Sequence, residues 1–284
     1  MKLGIDAYSF HRYFGELYPG LETAPDHSMT VWDFIDFSVQ FGVEAVSLES
    51  CFLPVGDREL TTALAARLDR AGMDRIWAWG HPRGLQSGAA PQALDDARAS
   101  LADAAAVGAR VMRICAGGRG TRPARWADHK AALLPLLTPL VREAKAAGVV
   151  LAVENHIDLL AEEIADLIET IGSDYLGVCL DTANNLRMYE NPKAVIRRLA
   201  PYAKATHIKD IEARGGDPAT MAFWPSVPAG RGVIDLDFAL RELKSHGYAG
   251  VLAVEIDWLS PGYGTEAEAV AESLSYLRGV KARL

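Results

Sequence analysis

The sequence predicts a (β/α)8 barrel, and three observations carry that prediction. Short hydrophobic runs of strand length alternate eight times with longer stretches of helical period. The runs are apolar on both faces rather than at alternate positions, as parallel strands covered by helices must be. Four runs in the second half each stop at a residue able to bind a metal, which suits a closed barrel, where the carboxyl ends of all strands meet at one mouth. An open doubly wound sheet is the alternative fold.

The elements follow in order. Strands are expected near 3–8, 43–48, 73–79, 110–115, 148–154, 175–181, 203–209 and 250–256. Helices are expected near 30–41, 58–71, 91–107, 126–147, 159–171, 192–200, 235–246 and 266–280. Gly42, Gly72, Gly108, Gly148 and Gly247 fall where a helix end favours a left-handed residue. No linker, low-complexity tract or further repeat divides the chain, so residues 1–284 are read as one domain. The exception to the short connections is the Gly- and Pro-rich stretch 211–234, IEARGGDPATMAFWPSVPAGRGVI, placed where a barrel carries a lid or part of a substrate pocket.

Bulk properties exclude several partners. With 29 basic against 37 acidic residues the net charge is -8, and no basic tract interrupts it. Nucleic acid and anionic membrane are therefore not expected partners. Cys51, Cys115 and Cys179 are odd in number and lack CxxC spacing, so they read as buried free thiols of a reducing compartment. The N-terminus enters a strand-like KLGIDAYSF, and no run of about 18 apolar residues occurs. A cytoplasmic location is expected.

The chemistry sits at the strand ends: Glu154 after VVLAV, Asp181 after LGVCL, His207 after AKAT and Glu255 after VLAV. Three carboxylates and one imidazole, with no thiolate, suit Mn2+, Mg2+, Co2+ or Zn2+. Any one of them taken alone would more often be structural, and Asp181 in DTANN could simply cap a helix. Together they make a site for one divalent ion. Glu154 and Glu255, from the fifth and eighth predicted strands, can also stand on opposite sides of a substrate as a base and an acid. Such a site serves isomerisation, epimerisation and related eliminations next to a carbonyl.

Five segments then carry a family resemblance: VENH at 153–156, CLDTAN at 179–184, HIKD at 207–210, PAGRGVIDLDFALRELKSHGYAG at 228–250 and VLAVEID at 251–257. Over essentially its whole length the chain resembles the xylose isomerase-like TIM barrels. This is the sugar phosphate isomerase/epimerase superfamily of ketose 3-epimerases, hydroxypyruvate isomerase and inosose dehydratase. The resemblance implies that Glu154, Asp181, His207 and Glu255 bind one Mn2+-like ion, with Glu154 and Glu255 as the acid/base pair. It departs where ketose 3-epimerases carry a substrate-holding His and Arg. Here those positions are Asn184 and Ala213, with Arg214 one residue further, which weighs against a free ketohexose as substrate.

Further substrate contacts are expected from His156, His81, Asn184, Lys209, Arg214 and Trp224, with His11, Arg12, Glu49 and Arg113 as lesser candidates at strand ends. Trp77, Trp79 and Trp258 could wall a sugar, although aromatic residues also fill barrel cores. No phosphate-binding motif appears, so a neutral or carboxylated polyol is favoured. The leading expectation is a metal-dependent isomerase or epimerase of a keto-sugar, working through an enediolate. A dehydratase or lyase of 3-keto sugars or C-glycosides is second. An AP-endonuclease-like activity is disfavoured by the charge and the few histidines, and a non-catalytic metal or sugar binder ranks lower. Related enzymes are often dimers or tetramers, and no segment decides the oligomeric state.

Overall fold

The structure, a computed structural model, describes residues 1–80, 84–213 and 224–284. Eight parallel strands close into a barrel: β1 (Lys2–Asp6), β2 (Ala45–Glu49), β3 (Asp74–Trp79), β4 (Val111–Ile114), β5 (Val150–Glu154), β6 (Leu176–Asp181), β7 (Ala203–Ile208) and β10 (Val251–Val254). Each strand pairs with its sequence neighbour in the barrel, and β1 closes on β10 with Lys2 opposite Val251 and Ile5 opposite Val254. The open sheet is thereby excluded.

Among the described residues eight α-helices pack outside: α1 (Val31–Gln40), α2 (Arg58–Ala71), α3 (Ala93–Val107), α4 (Trp126–Ala147), α5 (Ala161–Ile171), α6 (Pro192–Leu199), α7 (Leu236–Ser245) and α8 (Glu266–Ala282). Local chemistry sets their ends. Thr30 with Asp33 and Thr265 with Glu268 form capping boxes, so the first free N–H groups of α1 and α8 find side-chain acceptors. Gly72, Gly108 and Gly148 end α2, α3 and α4 with φ of 65°, 78° and 71°, a conformation that costs an L side chain strain. Among the described residues no helix is long and apolar enough to cross a membrane.

Two apolar layers result. A large one lies between strands and helices, with Phe34, Leu64, Leu133, Leu137, Leu240 and Leu274 fully buried. The barrel interior is a separate cluster of mostly small residues: Ala45, Ile76, Ala152, Cys179, Ala205, Val251 and Ala253. Side chains alternate along a strand, so the residue two positions onward points to the same interior. From Ala152, Cys179, Ala205 and Ala253 that step reaches Glu154, Asp181, His207 and Glu255. From Gly4 and Val111 it reaches Asp6 and Arg113, and two such steps from Ala45 reach Ser47 and then Glu49. One polar layer therefore caps the apolar interior at the carboxyl ends of the strands.

Two expectations are corrected. The stretch after β7 is not purely loop: β8 (Asp210–Ile211) and β9 (Ser226–Val227) form a small antiparallel sheet, while 214–223 lies outside the described residues. The Asp210 carboxylate accepts backbone N–H groups of Gly230 at 2.9 Å, Gly232 at 2.9 Å and Ile234 at 3.0 Å. A side chain at residue 232 would strike Asp210 Oδ1 at 2.2 Å, so HIKD and AGRG form one structural staple. Cys115 and Cys179 are buried free thiols, but Cys51 is exposed because it belongs to the turn after β2 at the barrel mouth.

Candidate metal centre

Glu154 ends β5, Asp181 ends β6, His207 lies in β7 and Glu255 follows β10, and one ligand atom from each lies within 4.8 Å of the other three. All four side chains are buried. His207 Nδ1 is 3.5 Å from Glu154 Oε1 and 3.2 Å from Glu255 Oε2, and its Nε2 is 3.4 Å from Asp6 Oδ2.

Their orientation is built from the neighbouring backbone. Asp181 Oδ1 accepts the N–H groups of Ala183 at 2.7 Å and Asn184 at 2.8 Å, which is the capping role its sequence suggested. The same bonds aim Oδ2 into the cluster. Asn155 clamps the β6 end from both sides, accepting from Asp181 N at 2.8 Å and donating to the Asp181 carbonyl at 2.8 Å. Asn184 Nδ2 donates to Glu154 Oε1 at 3.0 Å, while Arg113 Nε stands 3.3 Å from Glu154 Oε2 and Arg113 NH2 donates to Glu49 Oε1 at 2.7 Å. Lys209 Nζ lies 3.0 Å from Asp181 Oδ2, 2.7 Å from Glu255 Oε2 and 2.9 Å from Asp257 Oδ2.

The residues fit a divalent cation on two grounds. First, His207 Nδ1, Asp181 Oδ2 and Glu255 Oε2 are buried without a hydrogen bond; Lys209 approaches the two oxygens at ion-pair distance but not in hydrogen-bond direction. Buried polar atoms without partners are costly, and here three of them face one point. Second, the charge is lopsided: among the described residues, Asp6, Glu49, Glu154, Asp181, Glu255 and Asp257 are buried beside three permanent cations, Arg113, Lys209 and, in the cavity wall, Arg187. Without an ion the protein relieves this with protons. Burial outweighs the pull of Lys209 and raises the Asp181 carboxyl to about 7, and burial likewise pushes Glu49 well above the carboxylate range. Burial disfavours charge on His207, yet Cys179, Glu255 and Glu154 overcome it and hold the imidazole protonated well above its ordinary value. Burial also opposes ionisation of Glu154, but Arg113 and His207 keep it anionic, well below the usual range. A 2+ ion would replace those protons.

Above the cluster opens a cavity of about 260 Å3, walled by Glu154, Glu255, His156, Lys209, Trp224 and Arg187 among others. Of the substrate contacts expected from the sequence, His156, Lys209 and Trp224 line this cavity. Asn184 touches Glu154 and is absent from the wall; His81 and Arg214 lie outside the described residues. His11 and Arg12 turn away, paired with Glu22 and Glu266. Sequence reasoning missed Tyr8, Tyr18, Arg187 and Asp257 in the wall and Asp6 beneath it. Asp6 carried a usable signal, since it ends the first strand two residues after Gly4.

Comparison with known proteins agrees with this architecture. No curated protein matches in sequence. Among solved structures, the IolI protein with a bound zinc atom superposes with a TM-score of 0.73 at 18% identity, covering 100% of this chain and 99% of the other. L-ribulose 3-epimerase gives 0.72 at 20% identity, covering 99% and 96%. The probable 3-DHS dehydratase AsbF from Bacillus anthracis gives 0.72 at 14% identity, covering 98% and 99%. At such identities the likeness is one of fold. Residues 35–280 match the xylose isomerase-like TIM barrel family, and with its closed eight-stranded parallel barrel this chain belongs to that family.

Proposed function

We propose that this protein is a divalent-metal-dependent isomerase or epimerase of a keto-sugar or related polyhydroxy ketone. The carrying observation is the convergence of three unbonded buried atoms, His207 Nδ1, Asp181 Oδ2 and Glu255 Oε2, beside Glu154 at the floor of a cavity. Glu154, Asp181, His207 and Glu255 would hold the ion, which supplies polarisation of a substrate carbonyl and so acidifies the neighbouring C–H. Zinc in the IolI structure and the epimerase activity named for its relative support a site of this kind, with Mn2+ our preferred ion.

The chain's own residues supply the proton movements. Glu154, kept anionic by Arg113 and His207, is ready to take a proton from the carbon next to the carbonyl. Glu255 reaches the cavity from the far side of the cluster, with Lys209 Nζ 2.7 Å from its Oε2 to balance charge as it gives or takes the second proton. His156 and Trp224 bound the space where a polyol would lie, and Asn184 orients Glu154. Replacing either glutamate with Gln should lower kcat on the best keto-sugar found by about 10²-fold or more while metal content stays measurable. Full turnover in both variants would refute the proton-transfer roles.

A second reading keeps the same proton abstraction but expels a β-leaving group, giving a dehydratase or lyase, as in the relative named a probable 3-DHS dehydratase. Solvent deuterium in recovered sugar of unchanged composition supports isomerisation, whereas loss of water or an aglycone supports elimination. We further propose that residues 1–284 act as one domain on a small molecule, without nucleic acid or membrane, in the cytoplasm.

A further inference from the structure

Among the described residues, the cavity wall holds one guanidinium without an acidic ion-pair partner. Arg187, on the turn Asn184–Met188 that follows Asp181, faces the cavity and lies over the Trp224 ring, 5.1 Å from its centroid. Among the described residues its side chain makes no hydrogen bond and no ion pair, although five N–H donors are available. Arg113, Arg122 and Arg198, by contrast, pair with carboxylates, Arg122 with Glu163 at 2.6 Å for instance. Burial also weakens the hold of Arg187 on its proton, so its charge is incompletely compensated where it stands. Trp224 shields one guanidinium face and leaves the planar edge open, the arrangement that receives a planar anion bidentately.

We propose that Arg187 selects a substrate bearing a carboxylate, a sugar acid or other polyhydroxy keto acid, whose acidic end lies on Arg187 while its carbonyl end reaches the glutamate pair. This deepens the proposed function and rests on it. A carboxylate is favoured over a phosphate because a single fork suits a planar monoanion. Arg119 is exposed and donates to the Arg187 carbonyl rather than lining the cavity, and Arg113, in the same wall, is committed to Glu49 and Glu154. Asp257 in the same wall is held by Lys209 at 2.9 Å and makes no ion pair with Arg187, although the two charges attract each other through space.

The test uses an isosteric pair differing in charge. Calorimetry would measure D-glucuronate and D-glucuronamide against wild type, Arg187→Gln and Arg187→Lys, each with and without Mn2+, because a uronate can also reach the ion. Wild type should bind glucuronate at least 10-fold tighter than glucuronamide in both states. Arg187→Gln should reduce that preference to less than 3-fold with glucuronamide affinity unchanged, and Arg187→Lys should fall between. Equal affinities in wild type, absence of glucuronate binding, a preference that survives in Arg187→Gln, or tighter binding of glucose 6-phosphate than of glucuronate would each overturn the proposal. Mn2+ stoichiometry on the same samples separates the two readings. A wild type that takes up no metal refutes the proposed function, whereas full metal occupancy without charge discrimination refutes only the role of Arg187.

Discussion

Binding of a divalent ion to the four-residue cluster should raise the melting temperature measurably, and removal of His207 should abolish most of that rise. The cluster holds one ligand atom each of Glu154, Asp181, Glu255 and His207 within 4.8 Å of one another, with three polar atoms lacking hydrogen bonds. An ion that binds only this folded arrangement stabilises it by RT ln(1 + [L]/Kd), about 2.7 kcal/mol at a hundredfold excess over Kd. Unfolding entropy of about 2.1 cal/mol/K per residue gives roughly 0.6 kcal/mol/K for 284 residues, so the expected rise is about 4–5 °C. The protein would be stripped with a chelator and scanned by differential calorimetry with Mn2+, Mg2+, Co2+ or Zn2+ in turn. His207→Ala will itself be less stable without metal, because Asp6, Glu154 and Glu255 lose the cation beside them. The comparison is therefore between metal-induced shifts, not absolute values. No shift with any of the four ions, or an equal shift in His207→Ala, would refute the assignment of these residues as ligands.

Three further outcomes test the surroundings of the site. Burial raises the Asp158 carboxyl to about 7, and neither side-chain oxygen has a partner. The folded state therefore binds this proton more tightly than the unfolded chain, and its stabilisation, complete below about pH 4, is lost as pH rises through about 7. Relative to wild type, Asp158→Asn should gain about 3 kcal/mol between pH 5 and pH 8 in urea unfolding; parallel pH profiles would show the carboxyl is not strained. Arg113→Met strands Glu49 and Glu154 without their guanidinium and should cost about 3–5 kcal/mol, partly restored by adding Glu49→Gln; a loss below about 1 kcal/mol would deny the buried network. Asp210→Ala removes the acceptor for four backbone N–H groups, those of Ile211, Gly230, Gly232 and Ile234, and should cost about 3 kcal/mol, with faster hydrogen exchange at Gly230, Gly232 and Ile234; unchanged exchange there would refute the staple.

Most of the barrel could be read from one dimension because its elements are locally encoded. Apolar runs of strand length, capping pairs such as Thr265 with Glu268, and left-handed glycines such as Gly72 each act within a few residues. The cluster of Glu154, Asp181, His207 and Glu255 was readable for a different reason. Parallel strands in a closed barrel put their carboxyl ends together, so a polar residue ending an apolar run already has an address. Where the signal was weaker, reading failed: Arg187 and Tyr18 sit on turns and loops with no period to place them, and Asp257 hides two residues beyond a ligand. The structural role of Asp210 was also hidden, since its partners lie 20 to 24 residues away in a turn.

By itself, then, the sequence determined the eight-fold βα order, the helix ends and the four candidate ligands, all of which depend on spacing along the chain. Only the tertiary structure decided which atoms of those candidates go unbonded, that Arg113 rather than a lysine braces Glu154, that Cys51 is exposed at the barrel mouth, and that Arg187 stands over Trp224 with no ion pair among the described residues. Those outcomes depend on distances between strands and loops far apart in sequence. Buried charge is settled by which neighbours lie within a few ångströms, and closure of the barrel is what sets that neighbourhood.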